Sequence, residues 1–384
     1  MPIEKVTVSR DDGVYELLPD VARMPSGKLV CIYRESDGHT VRHFSSVATR
    51  TSVDDGHTWS PRRPIVEARP DKDGVVLKWN QPHIQRLKDG RLLALCDVFP
   101  SPPDENTDLT NSHIVFWWSE DEGGSWSKPE HSTVIGICPD RIVELPSGAW
   151  LLGTTVRMKE DHYDREGRGT QIVHRSEDQG KTWQGPYIVG HDESYELSEG
   201  SILLLPDGEL VCYIREDSGL GGTNAARGLS AFKAFSNDEG RTWEGLYETP
   251  MDGAHDPVAG LLPSGKVMVT YRYQQAGTLG APGPWTKSQL EELSTTSSQS
   301  QGDISHWARN TMAYLETVKS AKARELRQQG GIIMPLDHDR SPRSDGGYTG
   351  WVVLDDERIF CVNYIVDDAP MAQIRGYWFD ENDF

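Results

Sequence analysis

Apolar residues in this chain gather in short runs, and six of these runs follow a tight-turn signal. They read MPSGKLVCIYR from Met24, LKDGRLLALCD from Leu87, LPSGAWLLGTT from Leu145, LPDGELVCYIR from Leu205, LPSGKVMVTYR from Leu262 and LDDERIFCVNY from Leu354. Pro presets φ and Gly accepts positive φ, so Pro-Ser-Gly or Pro-Asp-Gly between apolar runs predicts a β-hairpin. The turn glycines are Gly27, Gly90, Gly148, Gly208 and Gly265, with Glu357 in the sixth copy. A recurring hairpin in a chain of 384 residues predicts a repeat architecture, in which each unit extends one continuous core.

A second series runs in phase with the first: SVDDGHTW from Ser52, SEDEGGSW from Ser119, SEDQGKTW from Ser176 and SNDEGRTW from Ser236. All fit Ser-x-Asp-x-Gly-x-Ser/Thr-Trp and begin 25 to 29 residues after a turn glycine. The Asp can hold loop amides, the Gly permits the bend and the Trp packs between sheets, which predicts a second hairpin in each unit.

The fifth unit lacks this motif. A long insertion, about 277–347, takes its place, opening on a Gly-, Ser- and Thr-rich loop. Ile304, Trp307, Met312, Leu315, Val318 and Leu326 fall roughly on one helical face, with Asp303 as N-cap and Gly330 as stop, so a helix is expected near 303–329. Such a helix would pack on the rim, cover the channel as a lid, or join two copies of the chain.

Net charge is −20, which argues against nucleic acid and anionic membranes as partners. The N-terminus lacks an apolar leader and no segment approaches about 18 consecutive apolar residues, so a cytoplasmic location is expected. The five cysteines, mostly inside strand-like runs, fit a reducing compartment and have no metal-ligand spacing; no metal and no cofactor is expected. Most of the twelve Trp and thirteen Tyr suit core packing, and some suit sugar stacking.

Equivalent hairpin positions should form rings about one axis. Nine residues before the turn residue stand Leu18, Gln81, Pro139, Glu199, Asp256 and Tyr348; seven after it stand Arg34, Asp97, Thr155, Arg215, Arg272 and Tyr364. Cross-strand pairing would set Glu199 opposite Arg215, Asp256 opposite Arg272 and Tyr348 opposite Tyr364, at one end of a channel. Ordinary cross-strand salt bridges explain each pair separately. Convergence of one Glu, one Asp, one Tyr and three Arg on one axis points instead to a binding or catalytic site. His83, Arg141, His255 and His338 stand at unit entries or in the insertion, where each could act as acid or base in another chemistry.

The Ser-x-Asp-x-Gly-x-Ser/Thr-Trp motifs resemble the Asp-boxes of the sialidase superfamily, and the resemblance spans nearly the whole chain. It implies an all-β fold: one six-bladed β-propeller over 1–384, the helical insertion falling between blades 5 and 6, with Asp-boxes at the periphery. Sialidases carry a Glu and an Arg sixteen residues apart on one hairpin, as Glu199 and Arg215 are, and a Tyr opening the last blade, here in Tyr348-Thr349-Gly350-Trp351. In the family that Tyr is the nucleophile, the Glu its base, and an Asp on the loop after the first hairpin the acid; Asp37 stands near that place. A neutral phenol can approach an anomeric carbon bearing a carboxylate where an anion would be repelled. The family's first arginine, in Arg-Ile-Pro, is replaced by Leu17-Leu18-Pro19-Asp20. Arg34, Arg340 and Arg343 are the candidates for its part in a substrate-binding set with Arg215, Arg272, Asp256, His83 and Arg141. The expected function is hydrolysis of a terminal, anionic, sialic-acid-like sugar. The alternatives are another carbohydrate-active chemistry, a lyase or non-sialic hydrolase using His and Arg, and a non-catalytic glycan-binding propeller.

Overall fold

The computed structural model describes residues 3–102, 109–159, 162–164, 166–217, 230–275, 308–341 and 344–384. The N-terminal strand β1 (Glu4–Ser9) belongs to the last blade. Blade 1 is β2 (Tyr15–Arg23), β3 (Leu29–Ser36), β4 (Ser45–Ser52) and β5 (Arg63–Ala68). Blade 2 holds β6 (Val76–Trp79) and β7 (His83–Arg86), both paired to β8 (Leu92–Ser101), then β9 (His113–Ser119) and β10 (Glu130–Ile135). Blade 3 runs β11 (Val143–Glu144), β12 (Trp150–Lys159), β13 (His162–Tyr163), β14 (Arg168–Ser176) and β15 (Gln184–Gly190). Blade 4 is β16 (Leu197–Leu204), β17 (Leu210–Glu216), β18 (Ser230–Ser236) and β19 (Glu244–Asp252). Blade 5 is β20 (Ala254–Leu261), β21 (Lys266–Gln275), β22 (Ala308–Thr317) and β23 (Gly331–His338). Blade 6 is β24 (Gly346–Val353), β25 (Ile359–Ile365) and β26 (Gln373–Phe379), completed by β1.

The six turns close alike. The residue at each glycine position donates its N–H to the carbonyl three residues back: Gly27 to Met24, Gly90 to Leu87, Gly148 to Leu145, Gly208 to Leu205, Gly265 to Leu262, and Glu357 to Leu354. Glu357 takes the left-handed conformation (φ 68°) that glycine supplies elsewhere. Inner strands pack side by side and close a ring where β2 meets β24. Pairing of Val6 with Gly376 and Lys5 with Tyr377 joins the two ends of the chain in one sheet.

Six apolar clusters hold the ring, one between each pair of consecutive blades. The blade 6–blade 1 cluster packs Leu17, Val21 and Leu29 on Phe360, Val362 and Trp378. Because a middle strand is apolar on both faces, its polar–apolar alternation is erased. That is why 303–329 reads as a helix in sequence, and the structure overturns the reading. Residues 308–317 are a strand, with Leu315 packed toward blade 6 and Met312 toward blade 4. The described part of the expected insertion supplies the third and fourth strands of blade 5, plus one helical turn, Val318–Ala321, capped by Thr317. Leu326, expected on a buried face, is exposed. Apart from that turn and a 3-10 turn at Leu326–Gln328, the described residues of 303–329 carry no helix on which a lid or a subunit contact was expected; residues 303–307 lie outside the described part.

The Asp-boxes sit in the turns between the third and fourth strands of blades 1 to 4. In each, one carboxylate oxygen accepts the backbone N–H four residues on and the other accepts that residue's hydroxyl, as Asp54 does from Thr58 and Asp238 from Thr242. Gly56 lies against Phe360 of blade 6, where an added Cβ would come within 2.6 Å of the ring. The box thus also fastens one blade to the next.

Candidate active site

Four of the innermost strands carry a bulge of one extra residue at one end of the channel. Pairing jumps from Leu17↔Arg34 to Asp20↔Ile32, from Ser198↔Arg215 to Ser201↔Tyr213, from His255↔Arg272 to Val258↔Thr270, and from Gly346↔Ile365 to Thr349↔Asn363. The first bulge residue is left-handed: Leu18 (φ 53°), Glu199 (φ 52°), Asp256 (φ 49°) and Gly347 (φ 98°). For a non-glycine residue this conformation costs about 1–3 kcal/mol, a strain typical of functional sites. The expected facing pairs are therefore corrected by one residue: Ser198, not Glu199, pairs with Arg215, and His255, not Asp256, with Arg272. The bulge adds one residue to the inner strand only, so a count from the turn that treats both strands alike misplaces every pair beyond it by one.

The bulges bring four of the expected residues together. The Tyr348 hydroxyl donates to Glu199 Oε1 at 2.6 Å, and accepts from Arg215 Nη1 at 2.9 Å and Arg272 Nη2 at 3.1 Å. Arg215 Nη1 also reaches Glu199 Oε1 at 2.6 Å, and its Nη2 pairs with Asp217. The Arg272 guanidinium lies 4.3 Å from the centroid of the Tyr348 ring. Gly347 permits that approach, since a Cβ there would meet the Arg272 Cβ at 2.6 Å.

Electrostatics set the proton states. Burial pushes the Glu199 carboxyl up, but Arg215, Arg272 and the Tyr348 hydroxyl outweigh it and hold the group below its usual range. Burial holds the Tyr348 phenol well above 10 despite the two arginines. The pair is thus a neutral phenol bonded to a carboxylate. Burial, and then the Glu199 charge, push Asp256 up to about 7. Asp256 donates its backbone N–H to Glu199 Oε2 and accepts from Gln81 Nε2 at 2.7 Å. It does not bond Arg272. Burial and the flanking Arg215, Arg272 and Arg309 keep His255 neutral, with Nδ1 accepting from Arg272 Nη2 at 2.8 Å.

The other expected residues divide. Arg34 is buried and bonds neutral acceptors, Asn80 Oδ1 at 3.1 Å and the His39 carbonyl at 2.7 Å. His83 and Arg141 converge on Asp20 deeper along the inner strands, joined to Asp256 only through Gln81. Asp37 turns away, capping the amides of Arg42 and His43 and the His43 ring. Arg340 is exposed and pairs with Asp367, beside the ion pairs of Asp337 with Lys5 and Arg375 at the outer strands of blades 5 and 6. It is not part of the cluster. Arg343 lies outside the described residues. His338 bonds Asn310 at the end of the outer strand β23.

Sequence reasoning missed a second cluster beside the first. Asp345, buried, accepts from Tyr15 and Tyr364, and pairs with Arg309 and with His39 Nδ1 at 2.8 Å. Tyr364 packs edge-on against Tyr348 with centroids 6.1 Å apart. Of its members the sequence placed only Tyr364, expected opposite Tyr348. A cavity of about 490 Å³ opens beside Glu199, Arg215 and Asp217, walled by Ile137, Cys138, Val156, Tyr163 and Leu197.

A family model described as a BNR repeat-like domain matches residues 47–311. Among solved structures, a protein of unknown function from Dyadobacter fermentans DSM 18053 superposes with a TM-score of 0.71 at 20% identity, over 98% of each chain. The Hadza microbial sialidase Hz136 gives 0.64 at 15% identity, over 98% of this chain and 68% of its own. An α-L-arabinanase of Penicillium chrysogenum, complexed with arabinobiose, gives 0.56 at 15% identity, over 99% and 98%. No curated protein matches in sequence. At these identities the solved structures speak for the fold alone. The chain belongs to the BNR repeat-like domain family.

Proposed function

We propose that this protein is an exo-acting glycoside hydrolase that removes a terminal anionic sugar, with Tyr348 as nucleophile and Glu199 as its base. The observation that carries this reading is one atom. The Tyr348 oxygen lies 2.6 Å from a carboxylate that can take its proton and within 3.1 Å of two guanidinium groups. A packing tyrosine does not need that shell. As the phenol oxygen attacks the anomeric carbon, its proton passes to Glu199, and Arg215 and Arg272 stabilise charge on the oxygen and on a substrate carboxylate. Asp256, protonated near neutral pH, offers a hydrogen-bond donor to a substrate hydroxyl. The stretch that resembles the family's Arg-Ile-Pro, Leu17-Leu18-Pro19, brings no arginine, which favours an anionic sugar held by Arg215 and Arg272 over strict sialic-acid selectivity.

Covalent trapping tests the reading. An activated 3-fluoro glycosyl fluoride of a sialic acid or a related ulosonic acid should label the protein once, and peptide mass spectrometry should place the sugar on Tyr348. A label on a carboxylate, or hydrolysis that persists in Tyr348→Phe, refutes it.

A further inference from the structure

The Tyr348–Glu199 pair leaves the leaving group without a proton donor, and Asp37 is committed to His43 and two backbone amides. Two residues further along the same loop stands His39. Its carbonyl is anchored by the buried Arg34 at 2.7 Å and its Nδ1 by Asp345 at 2.8 Å. Asp345 is itself fixed by Tyr15 at 2.7 Å, Tyr364 at 3.0 Å and Arg309 at 2.5 Å. The ring is therefore oriented by a buried carboxylate, yet 40% of the side chain is exposed, and among the described residues its Nε2 has no hydrogen-bond partner. Asp345 lies three residues before Tyr348, and Tyr364 bonds Asp345 and packs edge-on against Tyr348, so the His39 ring is linked to the Tyr348 ring through two intervening side chains. A histidine with one nitrogen on a buried carboxylate and a partly exposed ring is the arrangement of an oriented acid–base group.

We propose that His39 is the general acid and base of this site, with Asp345 as its positioning residue; the inference rests on the Tyr348–Glu199 reading above. In the first step the Tyr348 oxygen bonds the anomeric carbon and its proton goes to Glu199. The bond from the anomeric carbon to the leaving oxygen breaks, its electron pair stays on that oxygen, and His39 Nε2 delivers a proton to it. In the second step neutral His39 takes a proton from water as the water oxygen bonds the anomeric carbon. The bond from carbon to Tyr348 breaks, and Glu199 returns the proton to the phenol oxygen. No co-reactant besides water is needed.

The test compares two substrates of one sugar, a 4-nitrophenyl glycoside, whose leaving group departs unprotonated, and a methyl glycoside, whose leaving group cannot. His39→Gln should lower kcat/KM for the methyl glycoside by about 10²–10⁴-fold and for the nitrophenyl glycoside by less than about ten-fold. Asp345→Asn should show the same leaving-group dependence at smaller size, which a merely structural role would not produce. Equal losses on both substrates overturn the proposal. So does a leaving-group dependence found in Asp37→Asn or Asp256→Asn with none in His39→Gln. Tyr348→Phe separates the two readings. If it abolishes both activities while His39→Gln shows no leaving-group dependence, the nucleophile stands and only this inference fails. If it leaves both activities intact, the reading beneath fails as well.

Discussion

Replacing Glu199 by Gln keeps the shape of the site and removes one capability, acceptance of the phenol proton. Its effect can be worked from the environment of Tyr348. Burial holds that phenol well above 10, so at pH 7 fewer than about one site in 10³ carries a phenolate without help. At about 1.4 kcal/mol per unit, three units or more correspond to at least about 4 kcal/mol of barrier, and kcat/KM should fall by at least about 10³-fold. The variant should also gain a pH signature. Lacking a base, it depends on the phenolate fraction, so its kcat/KM on the nitrophenyl glycoside, whose leaving group needs no acid, should climb about ten-fold per pH unit between 7 and 9. The parent protein, whose Glu199 is already ionised, should not climb in this way. Tyr348→Phe should lose activity on a comparable scale, and the double variant should lose little more, because the two groups act in one step. Stability must be followed in parallel, since the Glu199–Arg215 ion pair is buried at 2.6 Å and breaking such a pair can cost about 3–5 kcal/mol. Circular dichroism melts show whether the variant is folded at the assay temperature. A folded Glu199→Gln protein within ten-fold of the parent, or one with a flat pH profile, refutes the assignment of the base.

Three further outcomes are expected. Gly350→Ala would place a Cβ 2.1 Å from Asp20 Oδ1, disrupting the buried Asp20 contacts to Arg141 and His83, and should cost about 3–5 kcal/mol in urea unfolding. Burial, with the Glu35 charge, pushes Glu16 up to about 7 from 4.5, so its contribution is present below about pH 4.5 and lost as pH rises through 7; the drop in unfolding free energy between pH 5 and 8 should shrink by up to about 3 kcal/mol in Glu16→Gln. Asp178→Ala removes the bonds to Ser176 and Thr182 in an Asp-box remote from Tyr348, and should lower the melting temperature while leaving kcat of the folded protein unchanged.

The repeat architecture is legible in the residues because turns are local. Pro-x-Gly and Asp-x-Gly dictate backbone angles within four residues, and six hairpins and four boxes close as those residues require. The ring positions of Glu199, Arg215, Arg272 and Tyr348 were legible for the same reason, since a repeat turns offset along the chain into position about an axis. What the chain alone left open depends on contacts between distant segments. The strand β22 looked helical because neighbouring blades cover both its faces, and no local pattern records which blades will do so. The bulges at Glu199 and Asp256 add one residue to one strand only, which no count from the turn records. Asp37 stands near its expected place in sequence, yet it caps its own loop, whereas His39 on that loop is held by Asp345 across 306 residues of chain. Local backbone chemistry is written in adjacent residues, whereas the proton state and aim of a side chain are set by whatever the closed ring packs around it.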